Sequence, residues 1–322
     1  MTRFHSSSHD MVLPGTVTVF ALIPGHFYLP QKDVFQDALE TGAGGGDIVP
    51  TFAFLVEHHS RGKYMFDLGL RKRAEGYPPA WTETLEELKP DCDEDVCDIL
   101  HANHILPSEI KGVIFRSVSV SSESRDIEPF TSAEIILGAE AKPLFNKPYP
   151  DDPESLFLAW PSDRTVRYLE FSHGAESLLP AFEKAFDFFG DQSLYIVDAP
   201  GHFPGHLMAL ARVYSPNPTS AHSNTSSESV YVLLAGDCCH NRQCYNPGTR
   251  TISEENYEDI AVARNTVSAL VRTANEMPNV VVVLAHEKEL EVEGMPLLPN
   301  SLNEWAVGRC ADRLANQSYT SL

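Results

Sequence analysis

Three side chains that could bind a metal ion each stand directly after an apolar run of the sequence. His202 lies in Pro-Gly-His-Phe-Pro-Gly-His, residues 200–206, Asp237 ends Ala-Gly-Asp, and His286 ends Leu-Ala-His. Imidazole nitrogens and carboxylate oxygens are ligands of zinc and similar ions, and catalytic sites leave one position open for water. Because rigid strands aim the residues at their ends, such positions suit a site. A lone strand-end histidine is more often structural, but the three in this order indicate a metal site.

A fourth segment follows an apolar run but is rich in serine and carries neither histidine nor carboxylate. After the strand-like run 112–115 the sequence reads Arg-Ser-Val-Ser-Val-Ser-Ser, residues 116–122. Neutral serine is a poor zinc ligand, yet two histidines and one carboxylate can still hold one ion, as in mononuclear zinc sites and iron facial triads. The sequence therefore predicts at most one divalent ion, with zinc favoured over iron or manganese, or none.

The composition limits the partners of the chain. Its 322 residues carry a formal net charge of −21, which disfavours phosphate backbones and anionic lipid surfaces. Six cysteines form no disulfide-scaffold pattern, the first residues lead into no hydrophobic signal core, and no apolar run approaches the ~20 residues of a membrane span. We expect a cytoplasmic protein with free thiols that acts on a small molecule; its oligomeric state stays open.

Short strand-like segments dominate both halves of the chain. We predict strands at 17–23, 51–57, 63–67, 111–120, 133–137, 164–171, 193–199, 206–213, 230–235 and 280–285, and helices at 83–88, 176–189, about 253–277 and from 301 onward. This order favours one α/β domain over residues 1–322, an αββα sandwich of two mixed β-sheets flanked by helices. Residues 1–15 are expected to be flexible, and 216–229 to form a surface-loop insertion.

The sequence resembles the metallo-β-lactamase-fold hydrolases, in particular lactonase-like members and their fungal relatives, from about residue 17 to the C-terminal helix. Phe-Ala-Phe-Leu-Val-Glu, residues 52–57, and Met-Phe-Asp-Leu-Gly, residues 65–69, are similar to the opening hairpin of the family. The Asp of that hairpin lies beside the metals, and here it is Asp67. The resemblance implies that His202 and His286 are ligands and that Asp237 is the carboxylate that bridges two metals.

Two further histidines have positions in the family pattern. His206 follows it without being a ligand, so we expect it to pack or hydrogen-bond nearby. His240 stands three residues after the bridging Asp, where some lactonases carry a Tyr that assists the substrate carbonyl. His240 could donate a proton, bind a metal or cap a loop. Cys238 or Cys239 could be a soft ligand or a nucleophile, although a small buried Cys after a strand is commoner.

The chain departs from the family at the H-x-H-x-D-H motif. Alignment from Asp-Ile-Glu-Pro-Phe, residues 126–130, places Ser117, Ser119, Ser121 and Ser122 at the ligand positions of this motif. Four ligands are lost, so we do not expect a two-metal site. The serines would then line the pocket or simply form a polar turn.

Three functions remain open from the sequence. The first is hydrolysis of a lactone, ester or thioester at a reduced metal site, with Asp237, His240 or His202 moving the proton. The second is metal-independent dehydration, isomerisation or cyclisation in fungal-type secondary metabolism, by analogy alone. The third is a non-catalytic pseudoenzyme or binding protein, although drift after loss of activity would spare neither His202 nor His286. The hydrolytic character of the family favours the first.

Overall fold

The strands form the framework that carries the site. The computed structural model describes residues 15–118, 127–171, 179–214 and 229–319, with the backbone alone for 316–319. Within these ranges the strands are β1 (Val17–Leu22), β2 (His26–Pro30), β3 (Gly46–Pro50), β4 (Ala53–His58), β5 (Gly62–Phe66), β6 (Ile110–Ile114), β7 (Glu134–Gly138), β8 (Val166–Leu169), β9 (Ala185–Asp187), β10 (Leu194–Asp198), β11 (Leu207–Tyr214), β12 (Val230–Gly236) and β13 (Val280–Leu284).

Helices connect and cover the strands. They are α1 (Gln31–Val34), α2 (Gln36–Thr41), α3 (Thr82–Leu88), α4 (Val96–Ala102), α5 (Ile260–Glu276), α6 (Lys288–Val292) and α7 (Leu302–Tyr319). Short 3-10 turns occupy Lys72–Ala74, Pro79–Trp81, Pro107–Glu109, Ala139–Phe145 and Arg242–Cys244. Among the helices of the described ranges, none has the length and apolarity that a bilayer crossing requires.

Two mixed sheets lie face to face, as predicted. The first has six strands in the order β1-β4-β5-β6-β7-β8, and the second has five in the order β13-β12-β11-β10-β9. In each sheet antiparallel pairs adjoin parallel ones, such as β5 with β6 and β12 with β13. Strands β2 and β3 form a separate hairpin. The αββα sandwich of two mixed sheets with flanking helices is therefore confirmed.

Alternating strand residues supply three apolar layers. Residues such as Val19, Phe54 and Val232 meet between the sheets. The opposite face of the second sheet packs against α5 through residues that include Leu270. The opposite face of the first sheet packs against α4 through residues that include Leu100. Because side chains alternate along a strand, each buried strand contributes to two of these layers.

Most predicted strands match the structure within a few residues, but the strand expected at 111–120 already ends at Ile114, and the helix expected at 176–189 is wrong. Residues 179–184 form a turn and irregular chain, and Ala185–Asp187 is β9, which pairs antiparallel with β10. The long helix begins at Ile260 and not near residue 253. The expectations for residues 1–14 and 216–228 lie outside the described residues.

Candidate functional site

Five charged or metal-binding side chains meet at one edge of the sandwich. Each follows the carboxyl end of a strand: Asp67 follows β5, Arg116 follows β6, His202 follows β10, Asp237 follows β12 and His286 follows β13. Strands β5 and β6 run parallel, as do β12 and β13, so their ends meet at a common edge within each sheet. The site therefore draws residues from both sheets.

Close backbone packing sets the turn that carries His202. Gly201 has φ +123°, and a Cβ there would lie 2.4 Å from the backbone nitrogen of Ala263 in α5. The Gly201 and His202 carbonyls accept hydrogen bonds from the N–H groups of Asp259 and Glu258. Because the backbone N–H groups of Glu258 and Asp259 bind this turn, these residues precede the helix, and α5 begins later than the sequence predicts.

Backbone carbonyls orient two of the histidine rings. The Nδ1 atoms of His202 and His286 donate to the carbonyls of Asn256 and Pro50, at 2.8 and 3.0 Å. This leaves each Nε2 on the side of Asp237, where it lies 3.8 Å from Oδ2 for His202 and 3.1 Å from Oδ1 for His286. Metal-binding histidines are commonly held through the other ring nitrogen in this way.

A tyrosine hydroxyl holds the third ring. His240 Nδ1 lies 3.2 Å from the Tyr257 hydroxyl, and its Nε2 lies 3.7 Å from Asp237 Oδ1. The ring stacks on that of His286, with centroids 5.9 Å apart. The ring of His240 therefore lies against Asp237, inside the cluster.

His206 faces the backbone and not the cluster. Its Nδ1 donates to the Ala199 carbonyl at 2.9 Å, and its Nε2 accepts the Asp237 N–H at 3.0 Å. Both ring nitrogens are therefore used in fixing the chain on either side of the site. Burial lowers the pKa of His206 to about 4, which keeps the ring neutral.

Arg116 occupies the centre of the cluster, and sequence reasoning did not assign it a role. The residue is only 1% exposed. Its Nε donates to Asp237 Oδ2 at 2.9 Å, its Nη1 pairs with Asp67 Oδ2, and its Nη2 lies 3.4 Å from His286 Nε2. Nη1 also donates to the Phe52 carbonyl at 3.3 Å. A basic residue at the end of a buried strand, next to serines in ligand positions, was the signal that could have identified it.

Asp67 is fully buried in a conformation that a turn requires. Its φ is +66°, in the left-handed region that Asp tolerates better than most residues. Oδ1 accepts the N–H of Leu68 at 2.8 Å, while Oδ2 pairs with Arg116. The residue is thus both a turn former and a member of the cluster.

Buried charge determines the protonation states of the cluster. Burial alone would raise the pKa of Asp237, but the Arg116 guanidinium and the neighbouring imidazoles hold it well below its usual range. Burial lowers the pKa of His202 and, more strongly, that of His240, so both rings are neutral. Two carboxylates face one guanidinium, which leaves a single net negative charge.

The donor set fits one metal ion. His202, Asp237 and His240 each offer a ligand atom, and these atoms lie within 4.8 Å of one another. Asp237 Oδ1 is buried and has no hydrogen bond of good geometry. His286, expected from the resemblance to be a ligand, contacts Asp237 and Arg116 beside this group.

A second ion does not fit between Asp67 and Asp237, because the guanidinium of Arg116 lies there. Of the four serines in ligand positions, the structure describes Ser117 alone. It is buried, and its hydroxyl has no hydrogen-bond partner among the described residues. Ser119, Ser121 and Ser122 lie outside the described residues.

The thiols beside Asp237 are buried and protonated. Cys238 and Cys239 are 3% and 1% exposed. Burial raises the pKa of both, and the charge of Asp237 raises that of Cys238 further. A thiol that resists ionisation is a poor nucleophile and a poor metal ligand. Their position therefore favours the packing role over the chemical one.

An apolar pocket opens onto the cluster. Its floor contains His202, Asp237, His240 and His286, and its walls are formed by Phe27, Leu29, Leu70, Leu88 and Pro90. A neighbouring pocket of about 280 Å³ shares Leu29, His240 and His286 and adds polar groups that include Lys288 and Glu289. Apolar walls with a few convergent polar groups are typical of small-molecule sites.

Comparisons with known proteins give relatives that include a metallo-hydrolase and a gamma-lactamase. No family model matches the chain. It is 25% identical to the metallo-hydrolase mfmC of Annulohypoxylon moriforme, over 92% of this chain and 82% of that protein. It is 27% identical to the gamma-lactamase FDB1 of Fusarium pseudograminearum, over 76% of this chain and 56% of that one.

The chain spans about a third (36%) of the length of another relative, the cytochrome P450 monooxygenase mpaDE′ of Penicillium brevicompactum, at 25% identity. Among solved structures, a quorum-quenching N-acyl homoserine lactone hydrolase superposes with a TM-score of 0.63 at 15% identity, over 90% of this chain and 100% of that one. At this identity the likeness shows a shared fold.

Proposed function

We propose that this chain, a member of the metallo-β-lactamase-fold superfamily, hydrolyses a small acyl compound, a lactone, ester or thioester, with at most one metal ion. The observation that carries the proposal is the convergence of three imidazole Nε2 atoms on Asp237 at the floor of an apolar pocket. Relatives named metallo-hydrolase and gamma-lactamase support hydrolysis and add a lactam to the substrates worth testing.

His202, Asp237 and His240 would hold the ion. When bound, a divalent ion polarises a carbonyl and lowers the pKa of a bound water. The Asn256 carbonyl and the Tyr257 hydroxyl fix the rings of His202 and His240, so ordering these ligands costs little on binding. Asp237 stays ionised, and its free Oδ1 can accept a hydrogen bond from a water molecule at the pocket floor.

The pocket walls select the substrate. Phe27, Leu70 and Leu88 are apolar, so they bind the hydrocarbon part of an acyl compound and exclude bulk water from the carbonyl.

In the reaction water adds to the carbonyl carbon, the bond from that carbon to oxygen or sulfur breaks, and the leaving group takes up a proton. Because Asp237 has a strongly lowered pKa, it suits orienting water better than storing a proton.

Replacement of Asp237 tests the proposal. Asp237→Asn keeps the shape of the side chain but removes its charge, so we expect kcat/KM to fall by at least about 100-fold. The assay measures hydrolysis of γ-lactones, aryl esters, thioesters and a γ-lactam with zinc, manganese or iron(II) supplied. The matched control is Asp198→Asn, a strand-end carboxylate that pairs with Lys184 away from the cluster.

Two outcomes would contradict hydrolysis. One is a wild-type protein that turns over none of these compounds with any of the three ions. The other is an Asp237→Asn variant that retains wild-type kcat/KM, with circular dichroism spectra that agree for the two proteins.

Arg116 favours a second candidate, acid–base catalysis without metal. Its guanidinium supplies a buried positive charge that pairs with Asp237, one of the residues of the pocket floor. Dehydration, isomerisation or cyclisation in fungal-type secondary metabolism would need no more than such groups, and the relatives come from fungi. Activity that survives exhaustive chelation would select this candidate; activity that returns only with added metal would exclude it.

The partner we propose is a small molecule and neither nucleic acid nor a membrane surface. A formal net charge of −21 repels phosphate groups, and the pocket is lined by apolar side chains. A cytoplasmic location, proposed from the sequence, is consistent with six cysteines that form no disulfide.

A further inference from the structure

We infer that Arg116 is a built-in cation that takes the place of one of the two metal ions of this fold. The inference deepens the proposed function, since it concerns the same site, but it stands on contacts and charge and not on turnover. The chain around Asp67 and Asp237 should therefore fold without a bound metal ion.

The contacts of the guanidinium are those that an ion between the sheets would make. Asp67 comes from the first sheet, and Asp237 and His286 come from the second. Nη1 reaches Asp67, Nε reaches Asp237 and Nη2 approaches His286 Nε2. A planar group with five donors in fixed directions suits such a bridge between two carboxylates.

Burial makes a cation necessary at this point. Asp67 is 0% exposed and Asp237 is 1% exposed, so neither carboxylate is solvated by water. Two buried carboxylates without a counter-charge are strongly unfavourable, whereas a paired and hydrogen-bonded set is tolerated. Arg116 neutralises one of the two charges, and the charge that remains suits a single ion on the far side of Asp237.

The surroundings of Arg116 are built to keep it in place. Its carbonyl accepts the N–H of Leu207 at 2.7 Å, which ties the end of β6 to β11 in the opposite sheet. Gly236, with φ +56°, leaves room for the side chain, because a Cβ there would lie 3.1 Å from Arg116 Cδ. A side chain fixed this way cannot swing out to make room for a second ion.

Metal content and thermal unfolding of full-length variants test this inference. After treatment with EDTA, we expect the wild type to remain folded. We expect Arg116→Ala to unfold at a temperature roughly 10 °C lower, because the buried carboxylates of Asp67 and Asp237 then lack a counter-charge. After zinc addition and desalting, we expect at most one zinc per wild-type chain. The Arg116→Ala chain should bind one more than that, at Asp67, Asp237 and His286, and recover part of its lost melting temperature.

A matched variant separates charge from packing. Arg212→Ala removes another buried arginine, 4% exposed and bonded to the Tyr231 hydroxyl. We expect it to lower the melting temperature without any recovery on zinc addition. Arg116→Lys keeps the positive charge and should stay folded in EDTA with the wild-type zinc content, which decides the matter even where Arg116→Ala fails to fold.

Three results would overturn the inference: two zinc ions per wild-type chain, equal melting temperatures for wild type and Arg116→Ala in EDTA, or an Arg116→Lys variant no more stable in EDTA than Arg116→Ala. None of these readouts depends on turnover. A protein that hydrolyses nothing would therefore defeat the proposed function and leave this inference standing. Hydrolysis by a chain whose Arg116→Ala and wild-type forms melt at the same temperature in EDTA would defeat the inference and leave hydrolysis standing.

Discussion

At the scale of single residues, Arg116 changes how the serine-rich segment after it is interpreted. Taken alone, the loss of four ligand positions reads as a damaged site. The structure adds that a guanidinium lies between Asp67 and Asp237, so the cluster contains a buried cation of its own. Asp237 remains ionised, and three imidazoles still surround it. The cluster therefore combines an ionised carboxylate, three imidazoles and a buried guanidinium.

Asp33 in α1 offers a pH test at a residue outside the cluster. Burial raises its pKa to about 6, despite the nearby Lys32. An acid whose pKa is higher in the folded state contributes stability below its ordinary pKa of 3.8 and loses it as the pH rises through about 6. Asp33→Asn should therefore raise the free energy of unfolding at pH 7.5, by up to roughly 3 kcal/mol, and change it little at pH 3.5.

Urea unfolding at a series of pH values measures this difference. Asp163→Asn is the control, because it makes the same substitution at a side chain that is 73% exposed. An Asp33→Asn effect that is the same at pH 3.5 and pH 7.5 would show that burial does not act on this carboxylate.

At the scale of elements, the sequence predicted the sheets well and one helix wrongly. Strands such as β12 and β13 are continuous apolar runs, which only a strand buried on both faces explains at that length. The segment 176–189 has helical periodicity, but Ala185–Asp187 pairs with β10 instead. The periodicity of one segment does not show that the edge of β10 is free to pair. Because Ala185–Asp187 pairs with that edge, this part of the segment is a strand and not a helix.

The same reasoning explains what sequence analysis found of the site. His202, Asp237 and His286 stand out because each follows its own apolar run, so the strand ends could be located one by one. The role of Arg116 depends on Asp67 and Asp237, which lie 49 residues before it and 121 after it. A buried arginine is unusual enough that only its three-dimensional partners justify it.

Gly201 gives a test of how α5 and the His202 turn fit together. Gly201→Ala places a Cβ against the backbone of Ala263, in addition to the strain of a positive φ. We expect a loss of at least about 2 kcal/mol in unfolding free energy, and a rise in the zinc dissociation constant because His202 is displaced.

Gly190→Ala is the matched control for Gly201→Ala. Gly190 also has a positive φ, +78°, but nothing lies within 4 Å of the added Cβ. It should show the strain alone, with a smaller loss of stability and unchanged zinc binding. Equal losses for the two variants would mean that the close approach to α5 has no energetic consequence.

At the scale of the whole molecule, the cluster joins the two sheets. Asp67 and Arg116 come from the first sheet, while His202, Asp237 and His286 come from the second. The guanidinium bonds to a carboxylate on each side, so it links the two layers at the edge where the apolar pocket opens. Any ion bound by His202, Asp237 and His240 is therefore placed against a charge that is part of the fold.

The number of metal ions in crystals of the wild-type protein soaked in zinc, located by anomalous scattering at the zinc edge, tests this account most directly. We predict at most one zinc per chain, bound by His202, Asp237 and His240, with the Arg116 guanidinium still between Asp67 and Asp237. Two zinc ions bridged by Asp237, with Arg116 displaced from the cluster, would contradict it.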